Sequence, residues 1–249
     1  MTAWVQKAAD ALATALTTGQ RIPQLPADCR PVTQAQAYAI QQAFVERTGR
    51  IGGWKVGGAE TAPYYAPMPS RLIAESPTEL AFSSLSAAAL EVEVAFRMQD
   101  TLPPRAQPYS RDEILAAVAS VHASIEVIDS RYETAGGVDA LSRLADLQNN
   151  ALFVVGDGAA DWSADSLPAL SASLEIDGRV VAASEESKPP ADPCALLVWL
   201  TGALSQQGFS LEAGTLVTCG SYTGKTPISA PLDATARVQA LGSAELRIT

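Results

Sequence analysis

The chain has 249 residues, 47% of them hydrophobic, and carries 27 acids against 17 bases for a net charge of −10. That supplies one sizeable core, read as one structural unit with an N-terminal helical segment over 1–50 and a main body over 51–249. The acid surplus argues against nucleic acid or an anionic membrane as partner, because both call for a basic footprint.

Cys29, Cys194 and Cys219 are odd in number and form no C-x-x-C pair, so neither a disulfide framework nor a zinc site is expected. His122 is the only histidine. A Ser–His or Cys–His nucleophilic pair would have to use it, and a multi-histidine metal site is ruled out. The stretch Met1 to Leu16 carries Lys7 and Asp10, unlike a signal peptide, and no apolar run approaches a membrane span. A soluble, cytoplasmic protein is expected.

In chain order, residues 2–18 read as an amphipathic helix ended by Gly19, followed by a loop punctuated by Pro23, Pro26 and Pro31. Thr33 and Gln36 have capping-box spacing and open a helix through Ala37, Ile40, Gln41 and Phe44 that stops at Gly49. Ile51 to Gly58 is a short strand hemmed by glycines, which sets Lys55 either in a tight backbone environment or on an exposed edge. Pro63, Pro67, Pro69 and Pro77 mark 61–79 as a loop, either a lid or a plain connector.

The next segment, Leu90 to Phe96, alternates Leu90, Val92, Val94 and Phe96 with Glu91, Glu93 and Ala95, the period of a half-buried strand. Its two carboxylates sit on successive positions of one face, roughly 6.5–7 Å apart at the backbone. Like charges that close need a balancing partner: Lys or Arg, open water, or a divalent cation. Ser110 and Glu113 make a second capping box, opening a helix read through Ile114, Leu115, Val118 and Val121, with His122 near its end. Glu126, in Ser124 to Arg131, has apolar neighbours on both sides and must pair, shift its pKa or bind metal.

Residues 133–150 read as a polar loop leading to a strand at Ala151–Val155. Asp177-Gly178 turns a hairpin between Leu174–Ile176 and Arg179–Val181. Asp192 and Pro193 open a buried helix closing near Gly208. Leu216–Cys219 is a strand leading to Gly220–Gly224, and two strands, Ala234–Ala240 and Ala244–Ile248, close the chain. The class is α+β: a rolled, mixed β-sheet with N-terminal helices, without βαβ repeats.

Gly-Trp-Lys55-Val-Gly, Glu91-x-Glu93, Ser124-Ile-Glu126-Val-Ile-Asp129-Ser-Arg131, the strand ending at Gly156, and Gly220-Ser221-Tyr-Thr223-Gly224 occur in a known order. On these motifs, and with 35 positions between Glu91 and Glu126, nearly the whole chain resembles the fumarylacetoacetate hydrolase superfamily. Within it the chain is most similar to the 2-hydroxypentadienoate hydratase and 4-oxalocrotonate decarboxylase branch. The resemblance implies Mg²⁺ or Mn²⁺ held by Glu91, Glu93 and Glu126, with Asp129 as a supporting group or alternative ligand. It implies Lys55 as the active-site lysine, and Asn149, Ser221 and Thr223 as substrate-bordering residues. The implied activity is a metal-dependent hydratase of a short unsaturated 2-oxo or 2-hydroxy acid. A decarboxylase of a 2-oxo diacid and a catalytically silent partner subunit are the alternatives. The diacid would need an extra cation, with Arg71 and Arg131 the candidates. A homo-oligomer, and association with a related hydratase or decarboxylase, are also implied. Two departures fall in the pocket: Pro67-Met-Pro-Ser70 where the hydratases carry an aspartate, and Asn149 where they carry a serine. The C–C hydrolase branch, which uses a His–Glu pair, resembles this chain less.

Overall fold

The computed structural model describes residues 2–184 and 191–249; Met1 lies outside them. Helices α1 (Ala3–Thr18) and α2 (Gln34–Thr48) lead the chain. Val5, Ala8, Ala9, Leu12 and Ala15 recur at helical spacing and bury one face of α1 in a cluster with Ala37, Ile40 and Phe44 of α2. At α2 the Thr33 hydroxyl accepts from Gln36 N, but Gln36 Oε1 accepts from Val32 N at 2.7 Å. The expected box therefore closes one residue early.

The main sheet contains β1 (Ile51–Gly57), β2 (Tyr64–Pro69), β3 (Ile73–Glu75), β5 (Ala89–Met98), β6 (Val118–Ile128), β7 (Asn150–Ala159) and β10 (Leu216–Ser221), ordered β2-β1-β10-β5-β6-β7-β3. A short β11 (Thr226–Pro227) pairs with β5. The two edges, β2 and β3, are joined by only Ser70–Leu72. The four peptide units from Pro69 to Ile73 reach at most about 14 Å. The sheet must therefore roll until its edges nearly meet, leaving a concave interior. Met68, Ala95, Phe153, Val155 and Leu216 form an apolar cluster within it, beside Ile73. Gly53 makes room there, since a Cβ would come within 2.6 Å of Met68 Cε.

The convex face carries Leu90, Val92, Val94 and Phe96, which join the largest core with α5 (Pro193–Gln206) and a second sheet. That sheet runs β4 (Thr78–Leu80), β13 (Gly242–Ile248), β12 (Leu232–Val238), β8 (Ala172–Ile176) and β9 (Arg179–Ala183). The Asp177-Gly178 turn has both residues at positive φ, 50° and 75°, as a type I′ hairpin requires. Asp192 caps α5 by accepting from Cys194 N at 2.9 Å.

Three expectations are corrected. Most of 61–79 is strand, because β2 has β1 as its single neighbour and an edge tolerates prolines that a central strand would not. The lid reading goes with the loop. The helix at Ser110 is only Arg111–Ala116 (α3); Val118 and Val121 belong to β6, where they pair with Met98 and Phe96 of β5. Its capping box is present, however. The stretch 133–150 contains α4 (Ala140–Ala145), capped by Asp139, whose carboxylate accepts from Leu141 N and Ser142 N.

Candidate metal centre

Strands β5 and β6 pair antiparallel with Glu91 opposite Glu126 and Glu93 opposite Ser124. Directly opposite residues share a face. That face is the concave one, and the three glutamates each offer a carboxylate oxygen within 4.8 Å of the others. Lys55 reaches the same place from β1, where it is registered with Thr218 of β10, itself registered with Ala95 of β5. The period-two rule thus explains why four charged groups from three strands converge.

Glu126 is fully buried. Its Oε1 accepts from Lys55 Nζ and, at 3.0 Å, from Asn150 Nδ2. Its Oε2 has no hydrogen-bond partner among the described residues. Glu93 is 3% exposed, and its Oε2 accepts from the Thr218 hydroxyl. Glu91 is partly exposed, and Ser221, which lies near it, favours its charged form. Lys55 Nζ also donates to Gln148 O at 3.4 Å. Burial, then Glu126 and Glu91, push the Glu93 carboxyl well above the usual carboxylate range. Burial, then Glu126, raise Glu91 as well. Burial pulls Lys55 down, but Glu126, Glu93 and Glu91 outweigh it and leave the ammonium above its ordinary value. Lys55 is thus held protonated.

Three carboxylates against the Lys55 ammonium and the more distant charge of Lys225, which the β11–β5 ladder sets beside Glu91, leave the cluster short of positive charge, and a buried carboxylate oxygen without a donor is costly. A hard divalent cation with oxygen ligands relieves both, so the donor set fits a metal such as Mg²⁺.

Gln148 lies in an unusual loop. Leu147, Gln148 and Asn149 all have positive φ, 51°, 54° and 62°, at a cost of about 1–3 kcal/mol each. Arg131 holds it: fully buried, it pairs with the Asp146 carboxylate and donates to Asp146 O and Asn150 O. Asp129 N donates to Asn149 O at 2.9 Å. The loop is fixed from both sides of its strained turn.

Of the other residues singled out in the sequence, Asp129 faces elsewhere, pairing with Arg21 and accepting from Ser86 N at 3.0 Å. Asn149 is 8% exposed, with Oδ1 unpartnered among the described residues. Thr223 Oγ1 accepts from Val92 N at 3.2 Å, tying the β10 end to β5. His122 sits on β6, with Nδ1 3.0 Å from Gly156 O and Nε2 2.8 Å from Ser120 Oγ. The carbonyl must accept, so Nδ1 carries the proton. Arg131, a candidate for the extra cation, is committed to Asp146, and Arg71 lines a different cavity with Arg21 and Asp129. Sequence reasoning missed Thr218, Asn150, Gln148 and Lys225. Thr218 had a signal, a polar residue among the apolar ones of a strand; Gln148 acts through its backbone and had none.

No family model matches the chain. It is 28% identical over 235 residues to a 4-oxalocrotonate decarboxylase of Pseudomonas putida, covering 88% of this chain and 87% of that one. It is 24% identical to a 2-keto-4-pentenoate hydratase of Paraburkholderia phymatum, covering 96% and 95%. A 4-oxalocrotonate decarboxylase structure from Pseudomonas putida G7, complexed with magnesium and adipate, shares the fold with a TM-score of 0.86 at 24% identity, over 98% and 97% of the two chains. Among the described residues no helix is long and apolar enough to cross a membrane. By sequence, the chain is similar to 4-oxalocrotonate decarboxylases and 2-keto-4-pentenoate hydratases over most of its length, and it shares the fold of the solved 4-oxalocrotonate decarboxylase.

Proposed function

We propose that this protein is a divalent-metal-dependent lyase acting on a short 2-oxo or 2-hydroxy acid, a hydratase of a 2-hydroxypenta-2,4-dienoate-like compound in the first instance. Decarboxylation of a 2-oxo diacid at the same centre is the second reading, favoured by the name of the 28% identical relative. The observation that carries the proposal is the convergence of Glu91, Glu93 and Glu126 within 4.8 Å, with Glu126 Oε2 left without a donor among the described residues.

These three residues would hold Mg²⁺ or Mn²⁺, which when bound polarises a 2-oxo group and stabilises developing enolate charge. Thr218 and Asn150 fix the Glu93 and Glu126 carboxylates, so the ligand set is positioned before anything binds. Lys55, protonated and anchored between Glu126 Oε1 and Gln148 O, anchors a substrate carboxylate or delivers a proton. It does not serve as a resting base. Met68, Phe153 and Val155 line the interior and limit water on that side. Ser221 and Asn149 border the substrate. Assembly as a homo-oligomer, alone or with a related enzyme, is part of the proposal.

The test is calorimetry with oxalate, an enolate mimic, with and without Mg²⁺. Binding that requires the metal supports the reading, and oxalate bound equally well without metal removes it. Metal-dependent loss of dienoate absorbance without CO₂ release then selects the hydratase, and CO₂ release the decarboxylase.

A further inference from the structure

A cavity of about 660 Å³ lies between α2, the β1–β2 edge of the main sheet and residues 207–209, which follow α5. It is on the far side of β1 from the metal centre. Lys55 reaches Glu126 in the concave interior, whereas its neighbour Trp54, on the opposite face of the strand, lines the cavity and joins the convex core. Tyr38, Tyr65 and Phe209 line it with Trp54. The Tyr38 ring stacks on Tyr65, with centroids 4.4 Å apart and planes 6° from parallel, and Trp54 meets Tyr65 edge-on at 5.6 Å. Phe209 tilts against Trp54 at 6.3 Å. Aromatic residues make up only 6% of the chain, so four around one cavity is a concentration that packing elsewhere does without.

The polar part of the lining narrows the chemistry. Glu46 and Arg50 are its one acid and one base among the described residues, so the cavity has no net charge and suits a neutral ligand. Gln41 is 1% exposed. Its Nε2 donates to Leu144 O and, at 3.4 Å, to Tyr65 O, and two carbonyls on one side fix which end of the amide faces them. Its Oε1 accepts no hydrogen bond among the described residues, although Gln41 lines the cavity. The sealed oxygens without a partner belong to Glu126, Asn149 and Asn150, so that of Gln41 keeps an opening. An acceptor in so apolar a place is costly unless a donor reaches it. Aromatic walls with one acceptor among them match a flat ring that carries a donor on its edge.

We propose that this cavity binds a neutral, planar aromatic compound bearing a ring N–H or O–H group, which packs among Tyr38, Trp54, Tyr65 and Phe209 and donates to Gln41 Oε1. The site is separate from the metal centre, since none of the three glutamates lines it, and it stands whether or not a metal binds there. The volume is that of a small-molecule site and accommodates a fused bicyclic ring.

The experiment titrates indole, and benzofuran as a control of the same shape with an oxygen in place of the N–H, by calorimetry into wild type, Ala39→Phe and Ala35→Trp. Both alanines lie on α2 and line the cavity, and each substitution fills space without removing a polar partner. Ala35 is exposed, so Ala35→Trp keeps the comparison available if Ala39→Phe fails to melt cooperatively. Wild type binds indole about 3–10-fold tighter than benzofuran, as one neutral hydrogen bond allows. Its affinity is the same in EDTA as with Mg²⁺ and oxalate present, and the folded variants lose it. No binding by wild type, equal affinity for the two compounds, displacement of indole by Mg²⁺ with oxalate, or binding that the folded variants retain overturns the proposal. Light scattering reads the competing occupant: a fall in mass in the folded variants assigns this face to a second copy of the chain and overturns the proposal as well.

Discussion

Glu93→Gln should have opposite effects on the metal-free and metal-loaded protein. Glu93 stands within 4.8 Å of carboxylate oxygens of both Glu91 and Glu126. At an effective dielectric near 20, each like-charged pair at that distance costs about 3.5 kcal/mol, and Lys55 offsets only part of the total. Burial and the two neighbouring glutamates raise the Glu93 carboxyl well above the usual range, so proton uptake relieves part of the repulsion and removing the ionisable group should recover about 1–2 kcal/mol rather than the full amount. The glutamine oxygen can still accept from Thr218, so the local bonding survives. For a chain of this size that is a rise in Tm of about 2–8 °C in EDTA. With metal at 100 times Kd, wild type gains about 2.7 kcal/mol, or about 5–11 °C, which the variant forgoes at the same concentration. Differential scanning calorimetry of both proteins in EDTA and in Mg²⁺ reads all four values. A variant that is less stable than wild type in EDTA, yet shifts as far with Mg²⁺, would refute the charge-balance argument.

Three further predictions concern the same region and the frame behind it. Glu93 has its folded-state pKa raised above the ordinary 4.5, so the metal-free fold holds a proton that the unfolded chain releases. Stability in EDTA should therefore be full below about pH 4.5 for this group and decline as pH rises through the folded value. Mg²⁺, which needs ionised ligands, should flatten or reverse that slope in urea melts taken from pH 5 to 8. Arg131→Met leaves the Asp146 carboxylate and the Asn150 carbonyl buried without their partner, at a cost of about 3–5 kcal/mol by urea denaturation. An unchanged midpoint would show that the strained loop needs no clamp. Gly156→Ala places a Cβ 2.1 Å from Ser243 O, a backbone atom at the start of β13, where β7 meets the second sheet. The expected loss is about 1–3 kcal/mol, or more if the two sheets must separate, measured by thermal melting.

The pairing of Glu91 with Glu93 on one face was legible in the sequence because a strand repeats every two residues. That Glu126 would lie opposite Glu91 was not, because register between β5 and β6 depends on bulges at Arg97/Met98 that local pattern does not announce. Caps followed the same division. Ser110 with Glu113 and Asp192 with Pro193 are local chemistry and were readable, whereas the true end of α3 at Ala116 depends on a sheet that claims Val118. The prolines of β2 misled for a related reason: they forbid a central strand, but only the sheet order makes β2 an edge. What was hidden at the site itself consists of backbone and cross-chain effects. Gln148 contributes a carbonyl, and Lys225 gains its place beside Glu91 from the β11 pairing of two residues. Sequence periodicity finds charges that share a strand. The groups that decide what those charges are used for arrive from loops whose position only the rolled sheet determines.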